Sequence, residues 1–191
     1  MNLFSIPTFV RVALAGLMLA LAYPALAQSD GRSTGDASGG QAVELTSRPA
    51  LVLAGSADWE EGFAKLNKSF ADLRTAMDRA NLKPAGRPIA VFVETDDQGF
   101  KFQAMLPLEA APPATPSFPA PIKLGETPAG KTMKFEHRSA YDDIDSTYEA
   151  ITAYLDEKGI EAKPVFVEQY LNDVTAADDT ALQVDIFVFV K

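Results

Sequence analysis

Apolar residues recur along this chain at two periods, 3.6 and 2, and the switches between them mark out its elements. Trp59, Phe63, Leu66, Phe70, Leu73 and Met77 follow at steps of 4, 3, 4, 3 and 4, a single stripe on one helix. Asp58 is placed to cap its start. Asn81 suits the left-handed position just past its end, with Leu82 folding back onto Met77. A second stripe, Ile144, Tyr148, Ile151 and Leu155, runs at steps of 4, 3 and 4, and Gly159 and Ile160 repeat the ending. Residues 50–54, 89–95, 100–106, 131–138, 164–171 and 182–190 are short apolar runs rich in β-branched and aromatic side chains, and they predict strands. Asp96-Asp97-Gln98-Gly99 joins two of them as a hairpin. Six prolines between residues 107 and 121 exclude regular helix or central sheet there and predict an extended crossover.

The elements therefore read β-α-β-β twice, over residues 43–108 and 122–191, with the crossover at 107–121 between them. The two copies share more than their order. V-F-V-E occurs at 91–94 and again at 165–168, and Met77, Asn81 and Leu82 correspond to Leu155, Gly159 and Ile160 at one offset. The fold class this predicts is α+β, a tandem duplication with a pocket between its halves.

Alternation along the strand at 164–171 puts Phe166, Glu168 and Tyr170 on one face and Val165, Val167 and Gln169 on the other. A carboxylate between two aromatics in an apolar strand needs a partner or a raised pKa if it is buried. Glu168 is thus the leading candidate, as the acid that attracts a lipophilic cation or moves a proton, against a plain solvated strand end. Tyr170 is placed to orient it, or simply packs with a wet hydroxyl. Phe166, Phe187 and Phe189 are candidate aromatic walls or ordinary core, since Asp185, Phe187 and Phe189 share a face of the last strand. Phe92 and Glu94 are the mates of Phe166 and Glu168 in the first copy, with Glu94 beside an acidic turn and so expected at a solvated rim. Trp59 opens the first stripe, where a core role leads over a place in the pocket.

Other chemistries lack their parts. His137 is the only histidine and there is no cysteine, so no zinc site has a ligand set and no disulfide can form. Asp142, Asp143 and Asp145 lack the glycine and terminal glutamate of a calcium loop and complement a helix start instead. No metal and no cofactor is expected. The formal net charge of -9 argues against a nucleic-acid surface. Residues 1–27 hold one charge, Arg11, before an apolar run and an Ala-Leu-Ala ending. This predicts a signal peptide cleaved after Ala27 and a periplasmic or secreted protein with no membrane span after cleavage, an uncleaved anchor being the alternative. Residues 28–42 are Gly-, Ser- and Asp-rich and predict a flexible tether.

The run L-G-E-T-P-A-G-K at 124–131, then E-H-R-S-A-Y-D-D-I at 136–144, E-Q-Y-L-N-D at 168–173 and L-Q-V-D-I-F-V-F-V at 182–190 resembles the GyrI-like small-molecule-binding domain. That family includes the effector-binding halves of multidrug-responsive transcription regulators and stand-alone members. The resemblance covers residues 43–191. It implies two units related by a pseudo-twofold, an antiparallel sheet with two long helices on one side, and a ligand cleft at the junction with Glu168 at its base. It also implies that Tyr141, which opens the second helix, faces that cleft. A small-molecule ligand is then the expected partner, with no fused DNA-binding segment. A hydrolase using Glu168 as general base and a module for a protein partner are the alternatives, since stand-alone members include both. The chain departs from the family at Ser139-Ala140, Val174 and Phe189, where Gly-Pro and two prolines are usual, which leaves the ligand's identity open.

Overall fold

The computed structural model describes residues 39–112 and 117–191. The predicted signal peptide and most of the predicted tether lie outside them. Among the described residues no helix is long and apolar enough to cross a membrane.

Eight strands form one antiparallel sheet: β1 (Gln41–Leu45), β2 (Pro49–Asp58), β3 (Ile89–Thr95), β4 (Gly99–Pro107), β5 (Lys123–Glu126), β6 (Gly130–His137), β7 (Ala162–Tyr170) and β8 (Val184–Val190). Two helices, α1 (Gly62–Arg79) and α2 (Ile144–Lys158), pack on one face, α2 preceded by a short 3₁₀ turn at Tyr141–Asp143. The helix ends follow from their residues. Asn81 has φ 51° and the Leu82 N–H donates to the Met77 carbonyl at 3.0 Å; Gly159 has φ 63° and the Ile160 N–H donates to Leu155 at 2.9 Å. Gly159→Ala is expected to destabilise the fold by ~1 kcal/mol in urea melts, because a Cβ disfavours this left-handed backbone.

The strand order β1-β6-β8-β7-β3-β4-β2-β5 reads the same from either edge once the two copies are equated. Its centre is the β3–β7 pair, where Phe92 lies opposite Phe166 and Val91 opposite Val167. The duplicated V-F-V-E segments thus pair with each other across the pseudo-twofold. The edge strands β1 and β5 were not expected; both are short and half polar, too weak to carry a period of 2. β1 precedes the first copy yet pairs with β6 of the second, while β5 precedes the second and pairs with β2 of the first. Gln41 and Ala42, expected in the tether, belong to β1.

This exchange bends the sheet. Residues 46–48 alone link β1 to β2, six strands away in the order, and residues 127–129 alone link β5 to β6. A flat sheet would need ~29 Å at ~4.8 Å per strand, whereas four Cα steps reach at most ~15 Å. The sheet therefore curls around its helix-free face. The two links meet there: the Thr127 N–H donates to the Arg48 carbonyl at 2.8 Å, and the Arg48 N–H to Thr127 Oγ1 at 3.0 Å. The helix-free face consequently has its own core of Ala50, Val52, Ile89, Val91, Met105, Val167, Phe187 and Phe189. Burial on both faces accounts for unbroken apolar runs such as Ala-Leu-Val-Leu in β2 and Ile-Phe-Val-Phe in β8.

Candidate functional site

β7 lies at the middle of the sheet, and its alternation presents Glu168 and Tyr170 to the helices. The neighbours of Glu168 across the two ladders are Ala90 on β3 and Ile186 on β8, neither able to bond a carboxyl. Its partners come from elsewhere. The Tyr148 hydroxyl, on α2, donates to Oε1 at 2.8 Å, and the Tyr170 hydroxyl donates to Oε2 at 2.5 Å. Glu168 is only 1% exposed, and among the described residues no Lys, Arg or His pairs with it.

Aromatic rings enclose this carboxyl. Phe63 on α1 stacks on Tyr141 with centroids 4.6 Å apart, Phe70 tilts onto Tyr170 at 5.1 Å, and Tyr148 meets Phe166 edge-on at 5.7 Å. Burial pushes Glu168 up from 4.5 to about 7, against the two phenols, whose hydrogen bonds favour the charged form. Tyr141, Tyr148 and Tyr170 all sit well above the usual phenol value, first because they are buried and then because the Glu168 charge opposes a second anion. Near neutral pH the site is a carboxyl able to gain or lose a proton, next to three phenols that stay protonated. It can neutralise a cation, or take a proton from a bound water.

The placements of the expected residues divide. Glu168, Tyr170, Phe166 and Tyr141 come together between the helices. Phe92 lies opposite Phe166 on the same side of the sheet, packed on Phe100 at 5.1 Å. Glu94 is exposed beyond a bulge and pairs with Lys101 at 2.8 Å, away from the carboxyl.

Three expectations need correction. Phe187 and Phe189 do not wall the Glu168 site. The ladder sets Ile186 beside Glu168 and Phe187 beside Val167, so both phenylalanines point into the helix-free core. There Phe187 lines a separate groove of about 320 Å³ with Arg48, Ile89, Val167 and Gln169. Trp59 is not the first member of the helical stripe either. The helix begins at Gly62, Asp58 accepts from the Glu61 N–H ahead of it at 3.0 Å, and Trp59 is 42% exposed in the turn. The indole is held there by Phe100 at 5.2 Å and by its own N–H, which donates to the Asp96 carbonyl at 3.0 Å.

The sequence places Tyr148, Phe63 and Phe70 only in the packing stripes, and the structure adds them to the site. A signal was present. Phe63 and Phe70 are seven residues apart, as are Tyr141 and Tyr148, and the pairs are offset by the same 78 residues that separate Met77 from Leu155. The two copies thus contribute equivalent aromatic pairs, and only the second carries hydroxyls. His137 stands outside the site. Its Nε2 bonds the Ala140 carbonyl at 2.9 Å and its Nδ1 bonds Thr147 Oγ1 at 2.8 Å, tying β6 to α2. No group of three or more metal-ligating side chains occurs among the described residues.

A duplicated, two-helix sheet with a carboxyl and aromatic rings held between the helices defines a class of α+β ligand-binding modules. Residues 41–191 match the model of the GyrI-like small molecule binding domain, and the chain belongs to that family. No curated protein matches the sequence. Among solved structures, the EcmrR C-terminal domain is similar at 13% identity with a TM-score of 0.63, covering 80% of this chain and 98% of that one. In EcmrR bound to DNA the matched part is 57% of the longer chain. A hydrolase from Listeria innocua matches at 14% identity and TM-score 0.56, over 80% and 92% of the two chains. SAV2435 bound to tetraphenylphosphonium matches at 15% and 0.50, over 80% and 93%. At these identities the likeness is one of fold.

Proposed function

We propose that this chain is an exported small-molecule-binding protein that holds an apolar or amphipathic cation between its two helices, against Glu168. The observation that carries this reading is a carboxyl 1% exposed whose hydrogen-bond partners among the described residues are phenols alone. Buried acids normally keep a cationic partner, and this one is without it among the described residues. An organic cation supplies the missing charge, and the rings of Phe63, Phe70, Tyr141 and Tyr148 supply faces that attract it. Tetraphenylphosphonium, bound by SAV2435 of similar fold, is a cation of this kind. Export rests on the charge and apolar pattern of residues 1–27. Outside the cytoplasm the protein has no nucleic acid to meet, so its role is to bind or carry the ligand.

A second reading has its own support. A carboxyl near 7 is matched to neutral pH, as a general base must be, and the Tyr170 hydroxyl holds it in place. A protein of similar fold is described as a hydrolase. One experiment separates the readings: a thermal-shift screen of lipophilic cations and activated esters against wild type and Glu168→Gln. Binding predicts stabilisation of the wild type, ~2.7 kcal/mol at a hundredfold excess over Kd, that shrinks in the variant. Catalysis predicts ester turnover by the wild type alone. Silence in both arms sinks both readings and leaves a protein partner.

A further inference from the structure

Among the described residues one buried side-chain atom has no hydrogen-bond partner, Nδ2 of Asn67. A buried N–H without an acceptor loses its water and gains nothing, so such groups are rare unless something else uses them. Asn67 stands four residues after Phe63 and three before Phe70, on one flank of α1 with both. That flank faces the second copy. Phe63 stacks on Tyr141, Phe70 packs on Tyr170, and Arg74, two turns beyond Asn67, bonds Asp173 just past β7 at 2.8 Å. The half-buried Asn67 is therefore set on the flank of α1 that faces the second copy, beside Phe63 and Phe70.

The duplication gives an independent reason to read this position as part of the site. Seventy-eight residues on, the equivalent of Asn67 is Asp145, four after Tyr141 and three before Tyr148. Asp145 lies near enough to both phenols for its charge to act on them. Each copy thus carries an aromatic–polar–aromatic triplet at the same spacing. The polar member is exposed on α2, and on α1 its nitrogen is buried and unbonded.

We propose that Asn67 is a specificity-determining residue of the inter-helix site, its Nδ2–H donating to a neutral acceptor on the ligand. The proposal rests on the binding reading above and narrows the ligand class to an aromatic cation that also carries an ether, carbonyl or ring-nitrogen acceptor. The cationic part meets Glu168 and the acceptor meets α1. A neutral amide suits this role because it makes a hydrogen bond without repelling the cation, as a lysine would, or competing with Glu168 for it, as an aspartate would.

The test compares two cations on the full chain by fluorescence or calorimetric titration. Rhodamine 6G carries ether and ester oxygens, and tetraphenylphosphonium carries no acceptor. Asn67→Leu keeps the branching at Cγ and removes the donor. It is expected to weaken rhodamine 6G about tenfold, the equivalent of ~1.4 kcal/mol, and to leave tetraphenylphosphonium within about twofold. The melting temperature of the free variant should rise, which also shows that it folds. Equal weakening of both cations, or no change in rhodamine 6G, overturns the assignment. Glu168→Gln run alongside keeps the two readings apart. If it weakens both cations while Asn67→Leu alters neither, the binding reading stands and the role of Asn67 falls. If neither cation binds the wild type, both fall.

Discussion

Glu168→Gln is expected to make the free protein more stable than the wild type at pH 8, by roughly 3 kcal/mol, and no more stable at pH 4. The carboxyl is raised from 4.5 to about 7, so between those values the folded chain holds a proton that the unfolded chain has released. The contribution of Glu168 to stability therefore falls as pH rises through that window and levels off above it, at about 1.4 kcal/mol per pH unit. Glutamine stands in for the protonated acid, with one oxygen to accept from a tyrosine and an N–H to give to another, and it cannot ionise. His137 acts in the opposite sense. Burial lowers its pKa, so its contribution is present above 6.5 and is lost as pH falls, in both proteins alike. It cancels in the difference. Urea denaturation of the pair between pH 4 and pH 8.5 checks this. A difference that stays flat with pH would mean that the carboxyl is hydrated or has a cation of its own.

Phe70→Ala is expected to cost ~3–5 kcal/mol, the range for removing a buried phenyl ring. Phe70 is 2% exposed and is packed against Tyr170 at 5.1 Å. The loss has a second consequence specific to this position. Desolvation is the largest cause of the raised Glu168 pKa, and a cavity beside Tyr170 gives water a place within reach of the carboxyl. The pKa should drop back toward 4.5, and the fall of stability between pH 4.5 and 7 should become shallower. Phe102→Ala is the control. Phe102 is equally buried, but it packs on Phe100 within the first copy, so its loss should cost as much and leave the pH profile unchanged. If Phe70→Ala keeps the wild-type profile, α1 does not hold water away from Glu168.

Much of this architecture was legible because it is local. Two apolar stripes at helical spacing, an Asn and a Gly each followed by an apolar residue, and a repeated V-F-V-E each bear on a few neighbouring residues, and the helix endings formed as read. The same local logic misassigned Trp59. It extends the stripe by one step, but Asp58, which accepts from the Glu61 N–H, holds the chain in a turn until Gly62. The strand β1 escaped notice for the converse reason. Gln41–Leu45 has little apolar pattern, and it is ordered by a partner ninety residues away.

The site divides along the same line. Alternation within one strand is enough to put Glu168 and Tyr170 on a common face, and an acid among aromatics marks that face as unusual. Sequence alone therefore determined the duplication, the two helices and the acid. Which neighbours the acid receives depends on register between strands, and register is a property of the assembled sheet. A shift of one residue would have brought Phe187 to Glu168 in place of Ile186 and Phe189 in place of Val188. The curl of the sheet then gave those phenylalanines a second core to fill, and the packing of α2 on the sheet brought the Tyr148 hydroxyl to Glu168. Only the tertiary structure decided these, because a buried carboxyl is defined by what surrounds it, and its surroundings come from five separate segments of the chain.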